Sequence, residues 1–135
     1  MTFADLAESY FWKAHSRRKI LPLLFEDKNY SDVVRESQEL VELALKGVLR
    51  AISIDPPRWH DVGPVLLENQ ELLSADMRVD LPEILRISAL LRREREIAFY
   101  GDVDCIPTES YKEEDALKAM EYADKVLIFI KKLPK

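Results

Sequence analysis

Apolar residues recur every three or four positions between residues 31 and 52, a spacing that is typical of a helix with one buried face. We therefore expect residues 31–52 to form an amphipathic α-helix. The opposite side is charged, and its Glu42 and Lys46 stand in the favourable i,i+4 order for an ion pair. The apolar stripe comprises Val34, Ser37, Val41, Ala44, Leu45, Val48 and Ile52, and the polar side comprises Arg35, Glu39, Glu42, Lys46 and Arg50.

The other long segments also carry helical patterns, and the chain contains only 3 glycines, too few for the many turns of an all-β fold. Thr2 and Asp5 are placed to cap a first helix, which Pro22 should stop or kink. A Pro-Pro pair interrupts the chain after residue 55, and Asp61 can cap the short helix that follows. The predicted helices are residues 3–24, 31–52, 64–72, 81–100 and 111–132. We expect an all-α, up-and-down helical bundle of four long helices plus one short helix, with residues 1–135 forming a single domain.

Composition excludes several classes of function. The net charge of -5 argues against non-specific coating of nucleic acid, because that mode depends on a basic surface that releases counterions. No apolar run is long enough to cross a bilayer, and no secretory leader is visible, so we expect a cytoplasmic protein. The glycine-rich loops that hold nucleotide phosphates in other folds are absent, and we expect no cofactor.

The histidines and the single cysteine do not form a metal site in the sequence. Neither His15 nor His60 has a glutamate three residues before it, and Cys105 is the only cysteine. His60 has two interpretations: it braces the short helix from the preceding loop, or it joins a polar site with Lys46 or Arg50.

The end of the fourth predicted helix is the best pointer to function. Residues 90–102 hold Arg92, Arg93 and Arg95 between apolar flanks, so guanidinium groups would lie close to buried surface. Such groups need a carboxylate or a phosphate as a partner. Apolar residues also occur on two sides of this helix, which suggests that one side packs against another subunit.

If the second and fourth helices pack side by side, Glu42 or Gln38 can pair with Arg93 or Arg95. A network of this kind is either a structural set of ion pairs or a site that contacts a ligand, because charged networks occur at both. The sequence alone leaves both readings open.

Four short stretches follow one another in a characteristic order. Residues 38–49 read Gln-Glu-Leu-Val-Glu-Leu-Ala-Leu-Lys-Gly-Val-Leu, and residues 56–61 read Pro-Pro-x-x-His-Asp. Residues 93–102 run from an arginine to Tyr-Gly-Asp, and residues 111–116 read Tyr-x-x-Glu-Asp-Ala. In this order and spacing, the stretches resemble the HEPN domain (higher eukaryotes and prokaryotes nucleotide-binding), in particular the small stand-alone prokaryotic proteins. The resemblance extends over about residues 3–131.

The resemblance implies a four-to-five helix bundle that is usually a homodimer and is often encoded beside a minimal nucleotidyltransferase. Many members are ribonuclease toxins with an Arg-x(4 to 6)-His motif, and a common version continues to a tyrosine. The matching residues here are Arg93, Ala98 and Tyr100, so alanine stands in the place of histidine. Alanine cannot transfer a proton, and the loss of a general acid-base group typically costs about 100-fold to 10,000-fold in rate. We therefore expect metal-independent RNA cleavage to be weak or absent.

We interpret the chain as a HEPN-type, non-catalytic binding module that contacts a nucleotide, an RNA phosphate or a partner nucleotidyltransferase. One alternative is a ribonuclease toxin of a toxin-antitoxin pair with a degenerate motif, in which His60 is an atypical base. Another is a structural assembly partner whose arginines only form ion pairs. We expect a homodimer, no metal, no membrane association and no extended DNA binding. The predicted ligand-binding residues are Arg93, Arg95, Tyr100, Lys46, Glu42, Gln38 and His60.

Overall fold

A computed structural model of the chain describes residues 2–58, 61–99, 101 and 106–134, with the backbone alone for 96–99. The described residues form helices and no strand, which confirms the all-α class. In chain order the helices are α1 (Phe3–Glu26), α2 (Tyr30–Ala51), α3 (Val62–Glu68), α4 (Ala75–Phe99), α5 (Pro107–Ser110) and α6 (Glu113–Ile130), with a 3-10 turn at Gln70–Leu72. Four of these are long, α3 is the expected short helix, and α5 is a single turn within the predicted loop before α6.

Helix α2 is the centre of the bundle, because α1, α3, α4 and α6 all pack against it. Its apolar stripe is buried as expected, except that Ile52 is only half-buried just beyond the end of the helix. Leu45 and Leu49 are completely buried, and burial of such a side chain contributes about 1.5–3 kcal/mol. The core around α2 is completed by Met77, Leu81, Ile87 and Leu91 of α4 and by Ala123, Val126 and Phe129 of α6.

Two helices extend further than the sequence predicts. Pro22 lies inside α1, which continues for one more turn to Glu26 and is not stopped at the proline. Helix α4 begins at Ala75 and contains Pro82, where the prediction placed the first residue near 81. The earlier start has a local cause, since Ser74 accepts a hydrogen bond from the backbone N–H of Met77 at 3.3 Å and so caps the helix.

Helix ends and charged side chains tie the bundle together. Asp61 accepts a hydrogen bond from the backbone N–H of Gly63 at 3.0 Å, which confirms it as the cap of α3. Arg18 of α1 donates two hydrogen bonds to Asp124 of α6, at 2.6 and 3.2 Å, and this contact raises the pKa of Arg18 above its usual range.

No helix in the described part of the chain is long and apolar enough to span a membrane.

Candidate functional site

The polar side of α2 lies between α1 and α4, which both pack on α2 but scarcely touch each other within the described residues. Arg17 of α1 reaches this side and pairs with Glu36 at 2.7 Å. Arg95 of α4 reaches it from the other direction and pairs with Glu39 at 2.7 Å. The polar side of α2 is therefore half-buried between two neighbouring helices and is not a fully solvated surface. We call it the α2 polar strip; it consists of Arg35, Glu36, Glu39, Glu42, Lys46 and Arg50, all of them half-buried.

Three cations converge on Glu42 in the α4 half of this strip. The distances to the Glu42 carboxylate are 3.5 Å from Lys46 Nζ, 3.7 Å from Arg92 Nη1 and 3.8 Å from Arg95 Nη1. All three exceed the 2.7–2.9 Å that is usual for a charge-assisted hydrogen bond. Within the described part of the chain, Arg95 is the only one of the three cations with a short ionic contact, the one with Glu39. We refer to these five residues, Glu39, Glu42, Lys46, Arg92 and Arg95, as the Glu42 cluster.

Charge in the Glu42 cluster is unbalanced. Among the side chains that the structure describes, three cations contact two carboxylates, which leaves a local positive excess on a chain whose net charge is -5. The Glu39 and Glu42 side chains are only 20% and 17% exposed, so solvent and salt screen the two carboxylates less than they screen surface charges. Arg92 and Arg95, at 36% and 39%, are more accessible to solvent and to a ligand.

Gln38 fixes the carboxylate at the centre of the cluster. Its side chain is almost fully buried, and its Nε2 donates a hydrogen bond to Glu42 Oε2 at 3.2 Å. Its Oε1 is buried without a hydrogen-bond partner among the described residues. A buried acceptor without a partner costs about 1–3 kcal/mol, and such exceptions in folded proteins often occur where function requires them.

The α1 half of the strip is built around Arg50. Its guanidinium lies 5.9 Å from the ring centre of Phe3 and 6.0 Å from that of Tyr10, within the range of a cation–π contact. Its Nη1 donates a hydrogen bond to Asp55 at 2.7 Å. Arg50 therefore fastens the start of the Pro-Pro loop to α1 and α2, and its role is structural.

Four of the residues predicted from the sequence to bind a ligand lie together in the structure, namely Gln38, Glu42, Lys46 and Arg95. Arg93 is exposed and forms no ion pair with any residue that the structure describes. His60, Tyr100 and the side chain of Ala98 lie outside the described residues.

Sequence reasoning missed Arg92 and Glu39 as members of the site. Helical spacing could have identified both residues. Positions 92 and 95 are three residues apart and share a face of α4, and positions 39 and 42 share a face of α2 in the same way. Position 93 is turned by about 100° from position 92.

Arg86 offers a useful contrast on the same helix. It is nine residues before Arg95, which by helical geometry places it on the opposite side of α4. Arg86 donates hydrogen bonds to Glu83 at 3.0 and 2.7 Å, and these lower the pKa of Glu83 below its usual range. Unlike Arg92, it makes a short two-point contact with one carboxylate, and its guanidinium also lies 5.5 Å from the ring centre of Tyr122. Among the described residues, no three His, Cys, Asp or Glu side chains are grouped so that they could hold a metal ion.

A model of the HEPN domain matches residues 7–133, which is nearly the whole chain, and the chain therefore belongs to the HEPN domain family. HEPN domains are nucleotide-binding or ribonuclease-type modules and often form dimers. Comparison with curated proteins and with solved structures gave no significant match.

Proposed function

We propose that this HEPN protein is a non-catalytic binding module whose Glu42 cluster holds a phosphate group of a nucleotide or an RNA, or an acidic group of a partner nucleotidyltransferase. The observation that supports this most is the set of three cations at 3.5–3.8 Å from one carboxylate. Each of these cations retains hydrogen-bonding capacity that Glu42 does not use. A phosphate oxygen can accept from two or more such donors at once.

The balance of charge supports an anionic ligand. A cluster with more cations than carboxylates attracts an anion, and its half-buried position strengthens that attraction relative to the open surface. Because the chain as a whole is acidic, the attraction depends on the Glu42 cluster and not on general basicity.

The sequence at position 98 supports binding without catalysis. Cleavage of RNA by attack of the ribose 2′-hydroxyl needs a group that accepts or donates a proton, and Ala98 has none. Arginines can still stabilise phosphate charge without a proton-transfer partner. We therefore expect bound RNA to stay intact.

We also propose that the chain works as a homodimer and that residues 1–135 form one domain. Helices α1, α2, α3, α4 and α6 share one apolar core, which supports the single domain. HEPN domains often form dimers, which supports the homodimer. Trp12 on α1 is 71% exposed and is a large apolar side chain that a partner subunit would bury. Sedimentation equilibrium would measure the dimer, and a monomer at all concentrations would contradict it.

Calorimetric titration with a short single-stranded oligouridine tests the binding proposal. Arg95→Gln should weaken binding by about tenfold or more, because a hydrogen bond to a charged group contributes about 1.5–3 kcal/mol. The matched control is Arg86→Gln, on the opposite side of α4, which should leave the affinity unchanged. If Arg95→Gln binds like the wild type, or if the wild type does not bind at all, the arginines have only a structural role and the proposal is wrong.

A further inference from the structure

Two carboxylates stand inside a site whose expected ligand is itself negative. Glu39 has a clear positioning role, since its short contact of 2.7 Å orients the guanidinium of Arg95. Glu42 has no comparable role, because none of its three cations approaches closer than 3.5 Å. Yet Gln38 holds the Glu42 carboxylate in place by a hydrogen bond from a buried position. Positioning of an arginine therefore does not explain why the Glu42 carboxylate is held in this site.

We infer that Glu42 determines the charge of the phosphate that the site accepts, and that it selects phosphates with a single negative charge over phosphates with two. This inference rests on the proposed function of the Glu42 cluster. Three cations and two carboxylates leave one positive charge without an equivalent partner. A phosphodiester, which carries one negative charge, balances that excess. A terminal phosphate, which carries close to two at neutral pH, brings an additional charge beside two fixed carboxylates.

The geometry favours Glu42 over Glu39 for this role. Glu42 contacts every cation of the cluster, so a phosphate that bridges Arg92, Arg95 and Lys46 lies next to its carboxylate. The Glu42 side chain is 17% exposed, and water therefore screens the repulsion between carboxylate and phosphate only in part. Repulsion between like charges that a protein holds in place is a common means of rejecting the wrong ligand.

The test compares uridine 5′-monophosphate with its methyl ester, the corresponding phosphodiester. The two ligands differ by one methyl group and by the charge of the phosphate, so the decisive quantity is the change in their affinity ratio between wild type and variant. Affinities are measured by NMR titration at pH 8 and constant ionic strength, where the monophosphate is fully dianionic because its second pKa is about 6. The wild-type protein should prefer the methyl ester. Glu42→Gln removes the charge with little change in shape, and it should shift the ratio of the two affinities by about tenfold towards the monophosphate.

Two further variants make the outcome decisive. Glu42→Asp keeps the charge and should keep the preference, and Glu83→Gln, which removes a carboxylate from the other side of α4, should not change it. If the wild type prefers the monophosphate, or if Glu42→Gln leaves the ratio unchanged, the inference fails while the binding proposal stands. If neither ligand nor oligouridine binds, both fail. If Glu42→Gln does not fold, Glu42→Ala, which removes the same charge and suits a helix, takes its place in the comparison.

Discussion

Gly47 allows α1 and α2 to approach each other closely, and this contact gives a sharp prediction. A Cβ atom added at position 47 would lie 2.5 Å from Cε1 and 2.8 Å from Cδ1 of Phe11, where carbon atoms normally keep about 3.5–4.0 Å. Replacing Gly47 with alanine stabilises the helix by about 1 kcal/mol through its higher helix propensity. It also forces the Phe11 ring to move by about 1 Å, and overpacking of this kind costs about 1–3 kcal/mol.

With an overpacking cost in the middle of that range, about 2 kcal/mol, and a gain in helix propensity of about 1 kcal/mol, we expect Gly47→Ala to lower the free energy of unfolding by about 1 kcal/mol. Thermal and urea unfolding followed by circular dichroism measure this change. For a chain of this size the melting temperature should fall by about 4 °C. The matched control is Gly63→Ala, whose added Cβ would lie 3.4 Å from Leu85 Cδ2, an ordinary contact. That variant should be more stable than the wild type by about 0.5 kcal/mol.

A double-mutant cycle with Phe11 tests the cause. Phe11→Leu removes the ring, so it should be less harmful in the Gly47→Ala background than alone, with a coupling energy of about 0.5–3 kcal/mol. If Gly47→Ala stabilises the protein as much as Gly63→Ala does, the claim that α1 and α2 approach each other closely at Phe11 is refuted.

Two further predictions concern the core and the charged contacts. Leu45→Ala should lower the free energy of unfolding by about 2–5 kcal/mol, because Leu45 is completely buried, whereas Leu117→Ala, at a half-exposed position, should change it by less than about 0.5 kcal/mol in urea unfolding. Lys132 contacts Asp80 at 2.5 Å, and this hydrogen bond raises the pKa of Lys132 above the ordinary value of 10.5. A contact that raises a pKa stabilises the folded state below pH 10.5, and this stabilisation disappears as the pH rises through the higher pKa of the folded state. The melting temperatures of wild type and Lys132→Met should therefore differ at neutral pH and converge only in strong alkali. A difference that disappears well below pH 10 would contradict the assigned contact.

The sequence predicted the fold well where one signal dominates. The stripe of α2 follows the helical period without interruption, and the caps formed by Thr2 and Asp61 are as expected. The prediction failed where two signals compete. A proline is tolerated best in the first turn of a helix, and a start near residue 81 puts Pro82 there. In the structure, the cap at Ser74 and the burial of Met77 outweigh this preference.

The candidate site could be predicted only in part. From the sequence, the pairing of Glu42 with Arg95 could be stated only on the condition that the second and fourth helices pack side by side, and in the structure α2 and α4 do so. Which arginine of the run faces α2 depends on the rotation of α4 about its axis, and a run with apolar residues on two sides does not determine that rotation. The packing of Leu91 and Ile87 in the core sets it, and it directs Arg92 and Arg95 towards α2 and leaves Arg93 exposed.

The most direct test of the central claim is an NMR titration that observes the arginine Nε–Hε groups of the ¹⁵N-labelled protein. The ligand is the methyl ester of uridine 5′-monophosphate, and assignments come from single arginine-to-lysine variants. If the Glu42 cluster binds phosphate, the signals of Arg92 and Arg95 should shift in a saturable way, whereas the signals of Arg18 and Arg86 stay in place. Saturable shifts at Arg86 with none at Arg92 and Arg95, or no saturable shift at any arginine, would contradict the account.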